Sequence, residues 1–259
     1  MFWKRVAVAV LVMGAVFASA SFCVSGTNDG EILVSAAISL KNAFEEIGSI
    51  YEKRTGIKVR FNLGASGLLQ KQIESGAPVD VFASAAEKQM DELQARGLIF
   101  ADTRRNFARN ALVLVVPANA ENQIHSFADL GGPGVTRVAI GNPKTVPAGQ
   151  YAQDSLANLK LWDKLQSRLV LAENVRQVLD YVGRGETDAG IVYASDVSAA
   201  HGMVAVAAQA PKDSHSPILY PIAVVKGASG RIAAQRFLDL TLSDEGQSIL
   251  AKYGFLSPR

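Results

Sequence analysis

The sequence predicts an α/β protein of two lobes, each a mostly parallel sheet covered by helices, and three observations carry that expectation. Short apolar runs alternate with segments whose apolar residues recur at helical spacing, from Ile32 to Val225. Two such blocks follow one another, and strand character returns after the second, so that the C-terminal part can rejoin the first. The composition, 49% hydrophobic over 259 residues, supplies ample apolar material for packed cores.

Ile32 to Val34 reads as a buried strand. Leu40, Ala43, Phe44, Ile47, Ile50 and Tyr51 then recur at helical spacing, and Gly56 ends the element. Val59, Phe61 and Leu63 alternate with polar or basic residues before Gly64 and predict an edge strand. Leu68, Leu69 and Ile73 predict a short helix closed by Gly76-Ala77-Pro78, followed by a strand at Val79 to Ser84 and a helix from about Glu87 to Arg96. The second block holds a buried strand, Ala111 to Val116, and a strand from Arg137 to Ile140 that runs into Gly141-Asn142-Pro143. Helices over Gln150 to Leu159 and Asn174 to Val182 follow, then a strand from Ala189 to Tyr193. A strand at Leu219 to Val225 and helices over Gly230 to Thr241 and Asp244 to Lys252 finish the chain. Crossings between lobes are expected near Asn110 and Ser216, giving lobe 1 as 30–110 plus 217–259 and lobe 2 as 111–216. Ala205 to Ala210 reads as merely Ala-rich.

Lys4 and Arg5 precede an apolar run from Val6 to Phe17, and Ala18-Ser19-Ala20 supplies a cleavage site, so 1–20 is expected to be an export signal. The run is too short to span a bilayer. Lipid anchoring through Cys23 is the competing expectation; bulky Phe22 before that cysteine disfavours it, and a soluble product starting near Ser21 is preferred. Cys23 is the single cysteine, which excludes an intrachain disulfide and a Cys-based metal site. Lys4 and Arg5 account for the whole excess of 26 basic over 24 acidic residues, leaving the mature chain formally neutral. It carries no basic stripe for nucleic acid, and an anionic partner has to be held by local geometry rather than by net field.

Four segments place a small or hydroxyl residue where a strand gives way to a helix: Ser39 in SAAISLKNAF, Ser66 in NLGASGLLQKQI, Ala148 in VPAGQYA and Val175 in ENVRQVL. Helix starts carry unpaired N–H groups and partial positive charge, so four that converged would make an anion site. Each residue also has an ordinary reading. Ser39 and Ser66 suit N-caps, Ala148 a turn between Pro147 and Gly149, Val175 a core position, and Tyr193 a packed ring at a strand end. Gly64-Ala65-Ser66-Gly67-Leu68 approaches a nucleophile elbow, which sets a secreted serine hydrolase using Ser66 as a rival reading, but Leu68 stands where the last glycine belongs. His125, His201 and His215 are scattered, and no zinc, phosphate-loop or dinucleotide signature is complete. Lys144 and Arg176 are expected to be solvated, with Arg176 suitably spaced from Glu173 for a surface pair.

In order and spacing, SAAISLKNAF, GASGLLQKQIESGAPVDVFASA, GNPKTVPAGQYAQDSL, AENVRQVL, GIVYASD, DSH, YPIAVVKG and KYGF resemble the periplasmic molybdate-binding proteins of ABC transporters, from about Ile32 to the C-terminus. The resemblance implies a class II periplasmic binding protein: two α/β lobes with mixed, mostly parallel sheets, joined by two crossing strands, with the ligand cleft between them. It implies molybdate or tungstate as ligand, no cofactor, no metal cation, no catalysis, and a periplasmic monomer that delivers to a membrane permease. By the same resemblance Ser39 and Ser66 each give a hydroxyl and a backbone N–H, Ala148 and Val175 give backbone N–H groups, and Tyr193 gives its phenolic hydroxyl. The run Gly64-Ala65-Ser66-Gly67 departs from the serine-rich run often seen in that family and leaves Ser66 as its one hydroxyl. Four helix starts of about half a charge each offset a dianion, whose unpaired burial costs tens of kcal/mol. Carboxylate is disfavoured without an arginine at the donors, whereas sulfate remains as an alternative oxyanion.

Overall fold

The computed structural model describes residues 30–119 and 124–258; the expected signal 1–20 and Cys23 lie outside them. The first block runs β1 (Glu31–Ala37), a 3-10 turn (Ile38–Leu40), α1 (Lys41–Thr55), β2 (Lys58–Gly64), α2 (Ser66–Glu74), β3 (Val81–Ala83), α3 (Glu87–Ala95) and β4 (Arg105–Arg109). The second runs β5 (Leu112–Pro117), β6 (Val138–Gly141), α4 (Pro147–Asn158), α5 (Trp162–Leu165), β7 (Leu169–Ala172), α6 (Val175–Gly183), β8 (Ala189–Tyr193) and β9 (Val204–Gln209). The chain closes with β10 (Leu219–Val224), α7 (Arg231–Leu242) and α8 (Asp244–Lys252).

Two five-stranded sheets result, ordered β2-β1-β3-β10-β4 and β7-β6-β8-β5-β9. Each is mixed. β1 runs parallel to β2 and β3, and β6 runs parallel to β7 and β8, while β10 and β5 pair antiparallel with both neighbours. Parallel pairing is thus confined to the strands joined through helices, which need a crossover, and covers half of each sheet rather than most of it. The chain leaves the first sheet at Arg109, enters the second at Leu112, and returns between Gln209 and Leu219. The two passages lie side by side, since Asn110 N donates to Ile218 O at 3.2 Å.

Burial explains the individual elements. Ala43, Phe44, Ile47, Gly48 and Tyr51 form the buried face of α1, and Gly56, at φ 72°, turns the chain out of the helix. Phe237 of α7 packs edge-to-face at 5.7 Å against Phe44 and Tyr51, so the C-terminal helices complete the first core. Buried Asp80 ties the same lobe together: it accepts from Leu33 N at 2.8 Å and from Ser229 N at 2.9 Å. Ala205 to Ala210, read as merely Ala-rich, is mostly β9, an edge strand paired with β5. β4, β7 and α5 have no counterpart among the elements expected from the residues. β4 and β7 are short, with partly exposed patterns, and take their order from a neighbour rather than from a periodicity of their own.

Gly149 fixes where α4 begins. A Cβ there would collide with the carbonyl oxygen of Gly141 at the end of β6, backbone against backbone, with no side chain able to yield. Gly149→Ala is therefore expected to cost about 3 kcal/mol by overpacking, lowering Tm by roughly 6–12 °C in a thermal melt followed by circular dichroism. An unchanged Tm would refute this packing argument.

Candidate functional site

β1, β2, β3, β6, β7 and β8 all point their carboxyl ends at one small cavity between the two sheets, the position where parallel α/β sheets hold ligands. Ala37 to Ser39, Gly64 to Ser66 and Ala85 line it from the first sheet's side; Val146 to Ala148, Asn174, Val175 and Tyr193 line it from the second's. All five residues singled out in the sequence, Ser39, Ser66, Ala148, Val175 and Tyr193, are brought together here. The cavity is small, with space at its centre for about one water-sized group, and it excludes a sugar or peptide.

Neither serine serves as a helix cap. Ser39 lies inside the 3-10 turn before α1, and Ser66 is the first residue of α2, whose N-cap is Ala65. Their buried hydroxyls bond elsewhere. Ser66 Oγ accepts from Ala85 N at 3.1 Å, which leaves its own proton to donate. Ser39 Oγ lies 3.2 Å from Tyr220 Oη, and Tyr220 Oη accepts from Asn110 Nδ2 at 3.2 Å. Asn110 Oδ1 faces the amides of Ala111 at 3.0 Å and Ser195 at 3.4 Å, which fixes the orientation of its side-chain amide. The order Asn110 to Tyr220 to Ser39 satisfies every group and leaves the Ser39 proton free. Asn110 and Tyr220 were not singled out in the sequence; Tyr220 opens the YPIAVVKG segment but carries no local signal of this contact.

On the other side, Asn174 caps α6 by accepting from the amides of Arg176 at 3.0 Å and Gln177 at 3.1 Å, leaving that of Val175 outside the cap. Pro147 at the first position of α4 has no N–H, so Ala148 carries the first amide of that helix. Tyr193 Oη donates to Ala85 O at 3.0 Å across the cleft. A phenol has one proton, so this hydroxyl serves either Ala85 or a bound group at any moment. Burial holds the Tyr193 phenol well above its ordinary pKa and keeps it a neutral donor.

Among the described residues that line the cavity none is charged, and none is a histidine. His215 pairs through Nδ1 with Ser216 O at 2.7 Å and stands beside the Tyr151 ring instead. Lys144 is exposed, in line with expectation, whereas Arg176 is only partly exposed. α6 starts at Val175, so Glu173 shares no helix face with Arg176, and the guanidinium turns inward. Its Nε lies 3.9 Å from Oδ1 of fully buried Asp196, and Nη2 donates to Asn42 Oδ1 of α1 at 3.2 Å. No side chain hydrogen-bonds to the Asp196 carboxyl among the described residues, and burial raises its pKa to about 7 against the downward pull of Arg176 and of the Tyr193 backbone.

Comparison with known proteins agrees with this architecture. Residues 32–256 match the family described as bacterial extracellular solute-binding protein. The chain is 41% identical over 225 residues to a Bacillus subtilis (strain 168) protein provisionally named as an ABC transporter substrate-binding lipoprotein, YvgL, covering 86% of this chain and 85% of that one. It is 38% identical over 248 residues to the molybdate-binding protein ModA of Escherichia coli (strain K12), covering 92% and 95%. The solved periplasmic molybdate-binding protein of Azotobacter vinelandii superposes with a TM-score of 0.78 at 26% identity, over 88% of this chain and all of that one. With its two α/β lobes around one cavity at the strand ends, this chain belongs to the bacterial extracellular solute-binding protein family.

Proposed function

We propose that this protein binds molybdate in the cleft between its lobes and delivers it to the permease of an ABC transporter, with tungstate accepted on the same donors. The observation that carries the reading is the convergence of Ser39, Ser66, Ala148, Val175 and Tyr193, from both lobes, on one cavity without a charged side chain. We take the lobes as 30–110 with 217–259, and 111–216. Export as a periplasmic monomer freed of residues 1–20 completes the proposal; the lipoprotein name of the Bacillus relative makes anchoring at Cys23 the alternative.

In this reading the ion is held by polarity alone. Ser39 and Ser66 donate hydroxyl and backbone protons, Ala148 and Val175 backbone protons, and Tyr193 its phenolic proton, released from Ala85 O. Four helix starts together supply about two positive charges' worth of potential, in balance with a dianion. Every group in this shell donates, so a hydrogen phosphate presents its proton where no acceptor waits, and a smaller sulfate leaves donors unpaired. Neither lobe alone completes the shell, so the ion favours the arrangement in which they meet. The rival hydrolase reading requires a base beside Ser66, and among the described residues that line the cavity none is charged and none is a histidine.

Calorimetry on the chain from Ser21 onward, titrated with molybdate, sulfate and phosphate at one pH, tests this. Tight molybdate binding with little or no response to sulfate is expected; silence with molybdate and heat with sulfate would keep the fold and reject the ligand. Ser39→Ala and Ser66→Ala should each weaken molybdate binding by about 1.5–3 kcal/mol, roughly 10- to 100-fold. Tyr220→Phe removes the group that orders the Ser39 proton and one acceptor of Asn110 Nδ2, which keeps Ser195 Oγ at 2.8 Å. A loss of about 1 kcal/mol, or several-fold, is expected in the same titration, and a loss equal to that of Ser39→Ala would show that Tyr220 does more than order it.

A further inference from the structure

The lobes also meet through their main chains. Gly67 N, in the first turn of α2, donates to Thr145 O in the loop between β6 and α4 at 3.0 Å. Gly67 is buried, and a Cβ built on it would stand 2.7 Å from Thr145 O, 3.0 Å from its Cα and 3.2 Å from its carbonyl carbon. All three are backbone atoms. The loop that carries them is itself pinned, with Thr145 N donating to Asn142 O at 3.0 Å, Val146 N to the same oxygen at 2.8 Å, and Lys144 N to Asn142 Oδ1 at 3.0 Å. A side chain at 67 could therefore be accommodated only by shifting backbone, parting the first turn of α2 from the facing loop.

Local conformation offers no reason for glycine here. Gly67 sits at a helical position, where alanine ordinarily stabilises by roughly 0.5–1 kcal/mol. Its backbone does not fall in the left-handed region that favours glycine. The local preference and the inter-lobe contact thus pull in opposite directions. Gly67 directly follows Ser66, and Thr145 lies three residues before Ala148, so the contact joins the two segments that carry donors on facing sides of the cavity.

We propose that Gly67 is a positioning residue for closure: its missing side chain lets the Gly67 N–H reach the Thr145 carbonyl, and this main-chain latch sets how tightly the lobes close on the bound anion. The inference rests on the molybdate reading above. It concerns Gly67 of this chain, in the run Gly64-Ala65-Ser66-Gly67.

The test uses the full mature chain as wild type, Gly67→Ala and Gly67→Ser, with thermal melts in the absence of ligand and calorimetry with molybdate. A Gly67→Ala protein whose unliganded Tm equals or exceeds that of wild type, but which binds molybdate at least 10-fold more weakly, is the expected result, with Gly67→Ser at least as impaired. Equal molybdate affinity in wild type and Gly67→Ala overturns the latch. A lowered unliganded Tm also overturns it, because glycine would then be required for folding the lobe rather than for closure. If wild type itself gives no heat with molybdate, the molybdate reading fails and takes this inference with it, an outcome distinguishable from a wild type that binds and a variant that binds equally well.

Discussion

In a parallel strand-helix-strand unit the helix begins where the strand ends, so its unpaired amides and partial positive charge are delivered to the carboxyl edge of the sheet. This molecule applies that constraint on two facing sheets. β1 and β2 lead into Ser39 and Ser66, and β6 and β7 lead into Ala148 and Val175, so the two edges oppose each other across one cavity. Cavity position, donor chemistry and the need for both lobes all depend on this arrangement. Strands β5 and β10, which carry the passages between lobes, run antiparallel to their neighbours and add no helix start to the cavity.

Hydroxyl groups are less determined than amides because their protons rotate, and the fold restricts that freedom from behind. Asn110 sits where the chain first leaves the first sheet, and Tyr220 lies on the strand to which it returns. Together they order the Ser39 hydroxyl, while Ala85 N occupies the oxygen of Ser66. The groups that join the lobes therefore also set the direction of a donor in the cavity, which couples lobe geometry to site geometry through one short chain of hydrogen bonds. Ala85 has a double part, since its N–H meets Ser66 and its carbonyl meets Tyr193 of the opposite lobe.

One ion pair lies behind the neutral shell. Arg176 follows Val175 directly, reaches Asn42 across the cleft, and approaches Asp196, whose carboxyl is fully buried. Where the Asp196 carboxyl is ionised, the adjacent guanidinium offsets its charge.

Much of the fold could be read from the residues. Glycine stops such as Gly56, helical spacing from Leu40 to Tyr51 and apolar runs such as Ala189 to Tyr193 are local signals, and local signals fix α1, β8 and most other elements. The order of motifs named the five cavity residues before any geometry. Edge strands β4, β7 and β9 were illegible because their order comes from a neighbour's hydrogen bonds. Tertiary structure alone decided that Ser39 and Ser66 leave their helix caps empty, that Arg176 turns toward Asp196 and Asn42 instead of Glu173, and that Gly67 meets Thr145. The sequence by itself determined the alternation of elements and the residue types at the helix starts, since both follow from interactions within a few residues; which hydroxyl faces which partner, and which backbone closes on which, depends on bringing together segments as distant as Ser39 and Tyr220, and only packing settles that.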